Sequence, residues 1–355
     1  MKAIDDIKFK QIIKKGEVSS VYLVNYTDQE GEYICKIYER EKVDGTTFMK
    51  YLKNHLIFLQ TLKHKNIIKF VDIKKTKSHC YIIYEYCNGG NLLSLLEKYS
   101  KIYNHPFSQE VIQHLMKQII EAFKYIHKSE VIHGNINLEN ILIHFENEED
   151  RENLNMMKAI VKIDDFGYSY IKKKSDIKNN VVCFDMYRNL IIKKASNKEE
   201  IYNIGLICYM MTFGNFAKKC DDMEELINQI EKENISPVPV SRELLSFLKD
   251  MLRNYSYKRL TCEQLLEHEF LQKNAKHFKL IEPSNNFDYF EENEENKNLC
   301  VNCFKNSSEI ILSPCGHKCI CHHCCKKLKL KLKGSNKFKS CPICRKPIIS
   351  VVEKI

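Results

Sequence analysis

The sequence predicts an α+β fold in two lobes, followed by a small cysteine-rich module. Short runs that alternate apolar and polar residues fill the first 85 residues, and this alternation is typical of strands with one buried face. From about residue 90 to 275 the apolar residues recur at helical spacing. Strands followed by helices indicate a two-lobed α+β plan. Nine of the sixteen cysteines then fall within 45 residues, Cys300 to Cys344, which favours metal binding over disulfides in a cytosolic chain.

The first lobe takes its strands from SSVYLVNY, EYICKIYE and CYIIYEY, with a helix predicted over TTFMKYLKNHLIFLQTL. In the second lobe the clearest helix begins after Ser108, a residue type that caps helix N-termini. Its predicted apolar stripe consists of Val111, Ile112, Leu115, Met116, Ile119, Ile120, Phe123 and Ile126. One wide stripe of this kind indicates an amphipathic helix packed on a core.

Composition limits the class of protein. With 44% hydrophobic and 29% charged residues, the chain is typical of a soluble globular protein. No apolar run approaches the roughly 18 residues that a membrane span needs. Asp5 and Asp6 stand where a signal peptide would be apolar, so the expected location is the cytoplasm or the nucleus.

The net charge of +10 does not by itself predict nucleic-acid binding, because lysines are spread along the whole chain. One dense basic run, KKLKLKLKGSNKFK at 326–339, fits either a solvated loop or a site for an acidic partner. Residues 282–298 hold six acidic side chains and one lysine, which is typical of a linker.

The cysteine-rich module contains C-x2-C pairs, and such a pair places two thiolates on one zinc ion. The pattern supplies eight ligands, hence two structural zinc ions: Cys300, Cys303, Cys315, His317, Cys321, Cys324, Cys341 and Cys344. A module of this size buries too little apolar surface to fold alone, and structural zinc contributes about 10–16 kcal/mol at neutral pH. In the run CICHHCC, Cys319, Cys325, His322 and His323 are rival ligands.

PCGH at 314–317 and CPICR at 341–345 stand in this pattern, and residues 300–355 resemble the RING finger family. The resemblance favours the eight ligands above. It implies cross-bracing, with one ion held by Cys300, Cys303, Cys321 and Cys324 and the other by Cys315, His317, Cys341 and Cys344. The tail KPIISVVEKI resembles those of inhibitor-of-apoptosis and Mdm2-like RINGs, which dimerise there, so a homodimer through the RING and tail is expected.

A RING of this kind implies a ubiquitin-protein ligase that has no nucleophile of its own. The family binds a ubiquitin-charged conjugating enzyme and holds its thioester in a reactive geometry, which is catalysis by positioning. Contacts to that enzyme would fall on Val301, Asn302 and Pro342, with Arg345 where some RINGs also touch ubiquitin. Many RINGs carry isoleucine where this chain has Asn302, and a polar amide there would weaken docking.

An ordered series of motifs runs through residues 1–275. The motifs are IIKKGEVSSVYLV, EYICKIY, YEYCNGGNL, VIHGNINLENILI, KIDDFG, EIYNIG and YKRLTCEQLLEHEF. Their order and spacing resemble those of eukaryotic protein kinases, from the glycine-rich loop through the strand lysine, hinge and catalytic loop to the later C-lobe segments. The resemblance implies a two-lobed protein kinase-like fold.

Phosphoryl transfer in that family needs cradled phosphates, a lysine, magnesium ligands and a base for the substrate hydroxyl. If the nucleotide site is retained, ATP and Mg²⁺ would be held by Gly16, Lys36, Asn140 and Asp165. The family's base position is occupied by Asn135, and a neutral amide cannot accept the proton. Losing a positioned base costs about 10²–10⁴-fold in rate.

Other positions depart from the family in the same direction. They are Lys14 and Ser19 for two loop glycines, Ile34 for an alanine over the adenine, His55 for the glutamate that pairs with Lys36, Asn137 for a lysine, and Met186-Tyr187-Arg188 for Ala-Pro-Glu. The last change removes the family's glutamate partner of Arg259. His133 is expected to pack with Phe166 and Leu59 and to bond backbone, without a catalytic role. Together the departures favour a pseudokinase.

The sequence therefore predicts a pseudokinase joined to a RING-type ubiquitin ligase. The expected parts are a kinase-like N-lobe over 1–85, a C-lobe over 86–275, an acidic linker over 276–299 and a RING over 300–355. The kinase-like part would hold a protein substrate or partner, while the RING would bring the conjugating enzyme and ubiquitin. Two alternatives stay open: an active atypical serine/threonine kinase with a RING for targeting, and a non-enzymatic zinc-binding scaffold.

Overall fold

A computed structural model describes residues 6–15, 19–28, 30–43, 47–103, 106–171, 183–184, 191–192, 196–214, 222–233, 236, 238–281, 309–313, 317–322, 325 and 350–353. The chain divides into two compact units, the first with residues 1–61, 68–86 and 292–355 and the second with 62–67 and 87–291. Among the described residues, none of the helices combines the length and the apolar composition that a bilayer-spanning segment needs.

The first unit opens with β1 (Ile7–Lys15), β2 (Ser19–Tyr26), β3 (Tyr33–Glu39), α1 (Arg40–Val43), α2 (Thr47–Thr61), β4 (Phe70–Lys75) and β5 (His79–Glu85). The strands form one antiparallel sheet in the order β1-β2-β3-β5-β4. The predicted strand and helix segments of this lobe are confirmed. Because successive side chains alternate between faces, Cys35 and Ile37 enter the core of one face, and Ile34 and Lys36 lie on the other.

The second unit begins with β6 (Gly90–Asn91), α3 (Leu92–Tyr103), α4 (Gln109–Lys128), β7 (Val131–Ile132), β8 (Ile141–His144), α5 (Glu148–Glu152), β9 (Ile160–Ile163), β10 (Tyr170–Ile171), β11 (Cys183–Phe184) and β12 (Ile191–Ile192). The long helix predicted after Ser108 is confirmed as α4, and its whole predicted stripe is buried. Ser108 occupies the N-cap position, but its side chain makes no capping hydrogen bond.

The unit continues with α6 (Asn197–Phe213), α7 (Met223–Glu233), β13 (Val240–Ser241), α8 (Arg242–Leu252), α9 (Cys262–Leu266), α10 (Glu269–Gln272) and β14 (Leu280–Ile281). Helix α6 is buried on nearly all sides, as a helix in the middle of a core must be. A Cβ at Gly205 would lie 2.8 Å from Cβ of Met251, so this glycine lets α6 and α8 approach closely. Strand β14 pairs with β13.

The cysteine-rich segment contributes β15 (Ile310–Ser313), β16 (His317–Ile320) and β17 (Ser350–Glu353). These strands form an antiparallel sheet in the order β16-β15-β17. Ile310 and Ile320 are fully buried. Strand β17 comes from the tail that the sequence suggested for dimerisation, and it pairs with β15 of the same chain.

Candidate functional site

Two strand pairs bring the catalytic-loop motif and the KIDDFG motif together. In the β7–β10 pair, Ile132 lies opposite Tyr170, and just beyond it the Ser169 hydroxyl donates to the His133 carbonyl at 2.8 Å. In the β8–β9 pair, Ile141 lies opposite Ile163. The residues next to that pair are therefore neighbours too, and the Asp164 N–H donates to the Asn140 carbonyl at 2.9 Å.

Between these strand pairs, asparagine side chains hydrogen-bond with the backbone of the catalytic-loop motif. Nδ2 of Asn140 donates to the Asn135 carbonyl at 2.8 Å, and Nδ2 of Asn137 donates to the same oxygen at 3.3 Å. Oδ1 of Asn137 accepts the N–H groups of Glu139 and Asn140 at 2.9 and 3.2 Å. Asn137, which replaces the family's lysine, therefore caps the short turn that carries Asn140.

Asn135 also reaches Asp165. Its Nδ2 donates to Oδ2 of Asp165 at 2.8 Å, and the two residues are only 1% and 7% exposed. Asp165 has a left-handed backbone with φ of 72°, a conformation that costs roughly 1–2 kcal/mol for a residue with a Cβ. The group at the expected base position is thus a donor to the expected metal ligand.

His133 packs against Phe166 and hydrogen-bonds with backbone groups, two of the contacts expected from the sequence. Its ring lies 4.6 Å from the ring of Phe166, centroid to centroid. The Asn135 N–H donates to Nδ1 at 3.2 Å, which makes Nδ1 an acceptor. Nε2–H is then the donor to the Asp164 carbonyl at 3.0 Å. Both ring nitrogens are occupied by backbone groups.

A buried glutamate in α6 binds the backbone of the catalytic-loop motif. Glu200 is 2% exposed. Its Oε1 accepts the Gly134 N–H at 2.8 Å, and its Oε2 lies 2.8 Å from Nε2 of His127. Nδ1 of His127 lies 3.6 Å from Sγ of Cys262, whose thiol pKa is raised by burial. Position 134 requires glycine, because its φ is 77° and a Cβ there would lie 2.9 Å from the Tyr168 carbonyl oxygen. The hydrogen bond to Glu200 holds this flexible residue in place.

In the first unit, Lys36 and His55 both contact Tyr84. Nζ of Lys36 lies 4.9 Å from the centroid of the Tyr84 ring, within cation–π range. Nε2 of His55 lies 3.2 Å from the Tyr84 hydroxyl, and this hydrogen bond is buried. The sequence did not identify Tyr84. Its place opposite Ile34, on the face that carries Lys36, is known only from the strand register of the folded chain.

The remaining nucleotide-site positions are partly outside the described residues. Gly16 is outside them. Lys14 lies inside β1 and pairs with Val21, while Ser19 begins β2. Ile34, at the family's alanine position, is half-buried opposite Tyr84.

Arg259 has a carboxylate partner that the sequence did not predict. Its Nη1 lies 3.1 Å from Oε2 of Glu199 in the first turn of α6, and its Nε donates to the Arg253 carbonyl at 2.8 Å. The guanidinium also stacks 4.6 Å from the centroid of Tyr202. Residues 186–188, where the family carries its glutamate, lie outside the described residues. The consecutive glutamates at 199 and 200 were the available signal.

Most of the expected zinc module also lies outside the described residues. That holds for Cys300, Cys303, Cys315, Cys324, Cys341 and Cys344, for the conjugating-enzyme contacts Val301, Asn302, Pro342 and Arg345, and for His323 and the basic run 326–339. Of the described residues here, His317 lies in β16. Cys321 and the rival Cys325 are 2% and 6% exposed, and the Cys325 N–H donates to the Cys321 carbonyl at 2.9 Å.

The donor chemistry of both sites fits the groups they are expected to hold. Thiolate and imidazole suit zinc. Asp165 and Asn140 offer the hard oxygens that magnesium prefers, and magnesium is usually held by one or two carboxylates plus substrate phosphates. Because Nδ2 of Asn140 is bonded to the Asn135 carbonyl, its Oδ1 is the atom left to act as a ligand. Within the described residues, no group of three or more His, Cys, Asp or Glu side chains is placed to hold a metal.

The two-lobed α+β fold and the loop geometry define a protein kinase domain, and the comparisons with known proteins agree. Residues 7–271 match the protein kinase domain, so the chain belongs to the protein kinase family. Residues 296–351 match the C3HC4-type zinc finger, the RING finger, which implies zinc binding.

The curated relatives are serine/threonine kinases. The chain is 21% identical over 277 residues to the serine/threonine-protein kinase PLK4 of Drosophila willistoni, covering 77% of this chain and 33% of that protein. It is 24% identical over 270 residues to the serine/threonine-protein kinase ATG1 of Debaryomyces hansenii, covering 68% and 31%. The chain thus spans about a third of the length of these relatives.

Proposed function

We propose that this chain is a RING-type ubiquitin-protein ligase whose kinase domain is a pseudokinase that holds a protein substrate or partner. The observation that carries the pseudokinase half is the hydrogen bond from Asn135 to Asp165. A general base must accept the hydroxyl proton, whereas the group at this position is an amide that already donates to a carboxylate.

The ligase half rests on the RING finger match over 296–351 and on the PCGH and CPICR sequences within it. Zinc would fix the module's shape, and the RING surface would hold the charged conjugating enzyme so that the thioester is oriented for attack. In this proposal the parts are the N-lobe over 1–85, the C-lobe over 86–275, the acidic linker over 276–299 and the RING over 300–355. The proposed setting is the cytoplasm, with a RING homodimer as the active form.

Self-ubiquitination of the zinc-loaded full chain tests the ligase half, with a broad panel of conjugating enzymes. Cys321→Ala is expected to abolish transfer, because it removes one expected zinc ligand. Cys325→Ala is the matched control, since this cysteine is also buried and follows within the same turn, and it should retain transfer. The absence of ubiquitin chains from the parent with the whole panel would overturn the ligase proposal and leave a zinc-binding scaffold.

An active atypical kinase is the second candidate, favoured by the retained Lys36, Asn140 and Asp165 and by the kinase relatives. Phosphate incorporation from labelled ATP, with Mg²⁺ or Mn²⁺, separates the candidates. The pseudokinase proposal expects none in the parent or in Asp165→Ala. Incorporation in the parent that disappears in Asp165→Ala would establish kinase activity instead.

A further inference from the structure

The second unit contains a cavity of about 410 Å³ with mostly apolar walls. Its lining comes from the start of α4 and the residues just before it, together with residues 238–239 and 275–280. Phe107, Ile112 and Phe278 are buried wall residues, whereas Leu280 is 39% exposed, so the cavity is open on the side of Leu280. The volume falls within the range of roughly 300–1,000 Å³ that small-molecule sites occupy.

Gln109 brings a hydrogen-bond donor to the wall of this cavity. The residue is 8% exposed, and its Oε1 accepts both the N–H and the hydroxyl of Ser241, at 3.2 and 2.6 Å. Because a backbone N–H can only donate, this contact fixes Oε1 as the acceptor and Nε2 as the donating end of the amide. Among the residues that the structure describes, none accepts a hydrogen bond from Nε2. A buried donor without a protein acceptor is uncommon, and a ligand in the cavity can supply the acceptor.

The N-terminal end of α4 adds further donors at the same place. Ser108 makes no capping hydrogen bond, and within the described part of the chain the N–H groups of Gln109 and Glu110 have no acceptor. Helix α4 is 20 residues long, and the N-terminus of a helix carries a partial positive charge. Such an end, with unpaired amides, is suited to binding an anion.

Two charged side chains of the lining oppose each other. Glu110 carries a negative charge and Lys276 a positive one, so the uncharged polar groups decide which ligand head the cavity prefers. These groups are the Nε2 of Gln109 and the first N–H groups of α4, and all of them are donors. The head must therefore accept hydrogen bonds, and an ionised acceptor forms the stronger ones.

We propose that this cavity binds a small carboxylic acid with an aliphatic body. The carboxylate lies at the N-terminal end of α4, where Nε2 of Gln109 and the first N–H groups of the helix donate to it, and the aliphatic chain lies along the apolar walls. The inference goes beyond the proposed function, and it holds or fails whether or not the chain transfers ubiquitin or phosphate.

The volume sets the size of the probe. A cavity of about 410 Å³ holds roughly a dozen groups that each occupy about 30 Å³, the share of one water molecule in the liquid. A carboxylate on a chain of about ten carbons fits this space, which makes decanoate the probe. Decanol and decylamine have the same chain with a neutral and a cationic head, so they isolate the contribution of the head.

Isothermal titration calorimetry of the zinc-loaded full chain tests the inference with these three probes. Decanoate should bind with a dissociation constant on the order of 10–100 µM. Decanol and decylamine should each bind at least about tenfold more weakly, although decanol is the more apolar compound.

Three variants assign the head of the ligand to its binding residues. Gln109→Glu keeps an acceptor for Ser241 but replaces the free donor by a carboxylate oxygen, so decanoate should bind about 10–100-fold more weakly. Glu110→Gln should strengthen decanoate binding and Lys276→Met should weaken it, each by about 2–5-fold. Decanol binding should change little in all three, which also shows that the cavity is intact. If Gln109→Glu does not fold, the opposite effects expected of the other two variants remain the test.

A pair of leucine and isoleucine changes assigns the chain of the ligand. Leu280→Ser removes part of the apolar wall and should weaken both decanoate and decanol. Ile102→Ser is the matched control, because Ile102 is 57% exposed on α3 and does not line the cavity, and it should change neither.

Three outcomes would overturn the inference. They are the absence of decanoate binding to the parent, binding of decanol or decylamine as tight as that of decanoate, and decanoate binding that Leu280→Ser and Ile102→Ser affect equally. Ubiquitin transfer and phosphate incorporation are measured separately, so a failure of the proposed function leaves this result unchanged.

Discussion

Replacing Tyr84 by phenylalanine tests whether one tyrosine connects α2 to the sheet in place of the kinase family's lysine–glutamate pair. The change removes only the hydroxyl, which lies 3.2 Å from Nε2 of His55 in a buried position. The ring over which Lys36 lies is kept. The change therefore tests the hydroxyl and its hydrogen bond with His55 while the ring stays in place.

The burial of the two partners sets the expected magnitude. Tyr84 is 3% exposed and His55 is 5% exposed, so water cannot easily replace the lost partner. Removing one member of a buried hydrogen bond costs about 1–3 kcal/mol. In a domain of this size each kcal/mol lowers the melting temperature by about 2–4 °C.

A double-mutant cycle separates the bond from packing changes. Tyr84→Phe, His55→Leu and the double variant are compared by urea unfolding of the full chain, followed by far-ultraviolet circular dichroism. Because the double variant leaves no buried polar group behind at this contact, it should cost less than the sum of the two single changes, with a coupling of about 0.5–2 kcal/mol. Additive costs would refute the reasoning, as they would show that the two side chains stabilise the lobe independently.

Three further predictions concern the rest of the kinase domain. Arg259→Met should lower the free energy of unfolding by about 3–5 kcal/mol, because it leaves three backbone carbonyls without their donor and also removes the ion pair. Glu199→Gln should cost only about 1–2 kcal/mol, because it changes the ion pair alone. Equal losses in urea unfolding would contradict this. Gly205→Ala should destabilise the kinase domain. The new Cβ would lie 2.8 Å from that of Met251, which costs about 2–3 kcal/mol, whereas the gain in helix propensity is only roughly 1 kcal/mol. An unchanged urea midpoint would show that α8 can shift. Burial raises the pKa of the Cys35 thiol to about 12. Below that pH, iodoacetamide should therefore modify Cys35 only as the lobe unfolds, which peptide mass measurements would follow. Rapid labelling of the native chain would contradict the burial of Cys35.

The sequence by itself determined the features that depend on local pattern. The alternation in SSVYLVNY predicted β2 over Ser19–Tyr26, and the stripe after Ser108 predicted α4. In both, the period of burial along the chain is the period of the backbone structure. The cysteine spacing was equally informative about the RING, because a zinc ion needs ligands of fixed type at short, fixed separations.

The sequence also showed which kinase positions had changed, but not what the new residues do. Asn135 was recognised as unable to serve as a base, yet nothing in its neighbours pointed to a bond with Asp165. Arg259 was recognised as lacking its family partner at 186–188, yet its carboxylate comes from Glu199.

These contacts were decided by tertiary structure alone. Asn135 and Asp165 are 30 residues apart, and His55 and Tyr84 are 29 apart. A hydrogen bond at such separation exists only because strand registers and helix packing bring two distant backbones together to within a fraction of an ångström. Periodicity fixes which face a side chain occupies, but the partner it meets on that face depends on how the whole domain packs.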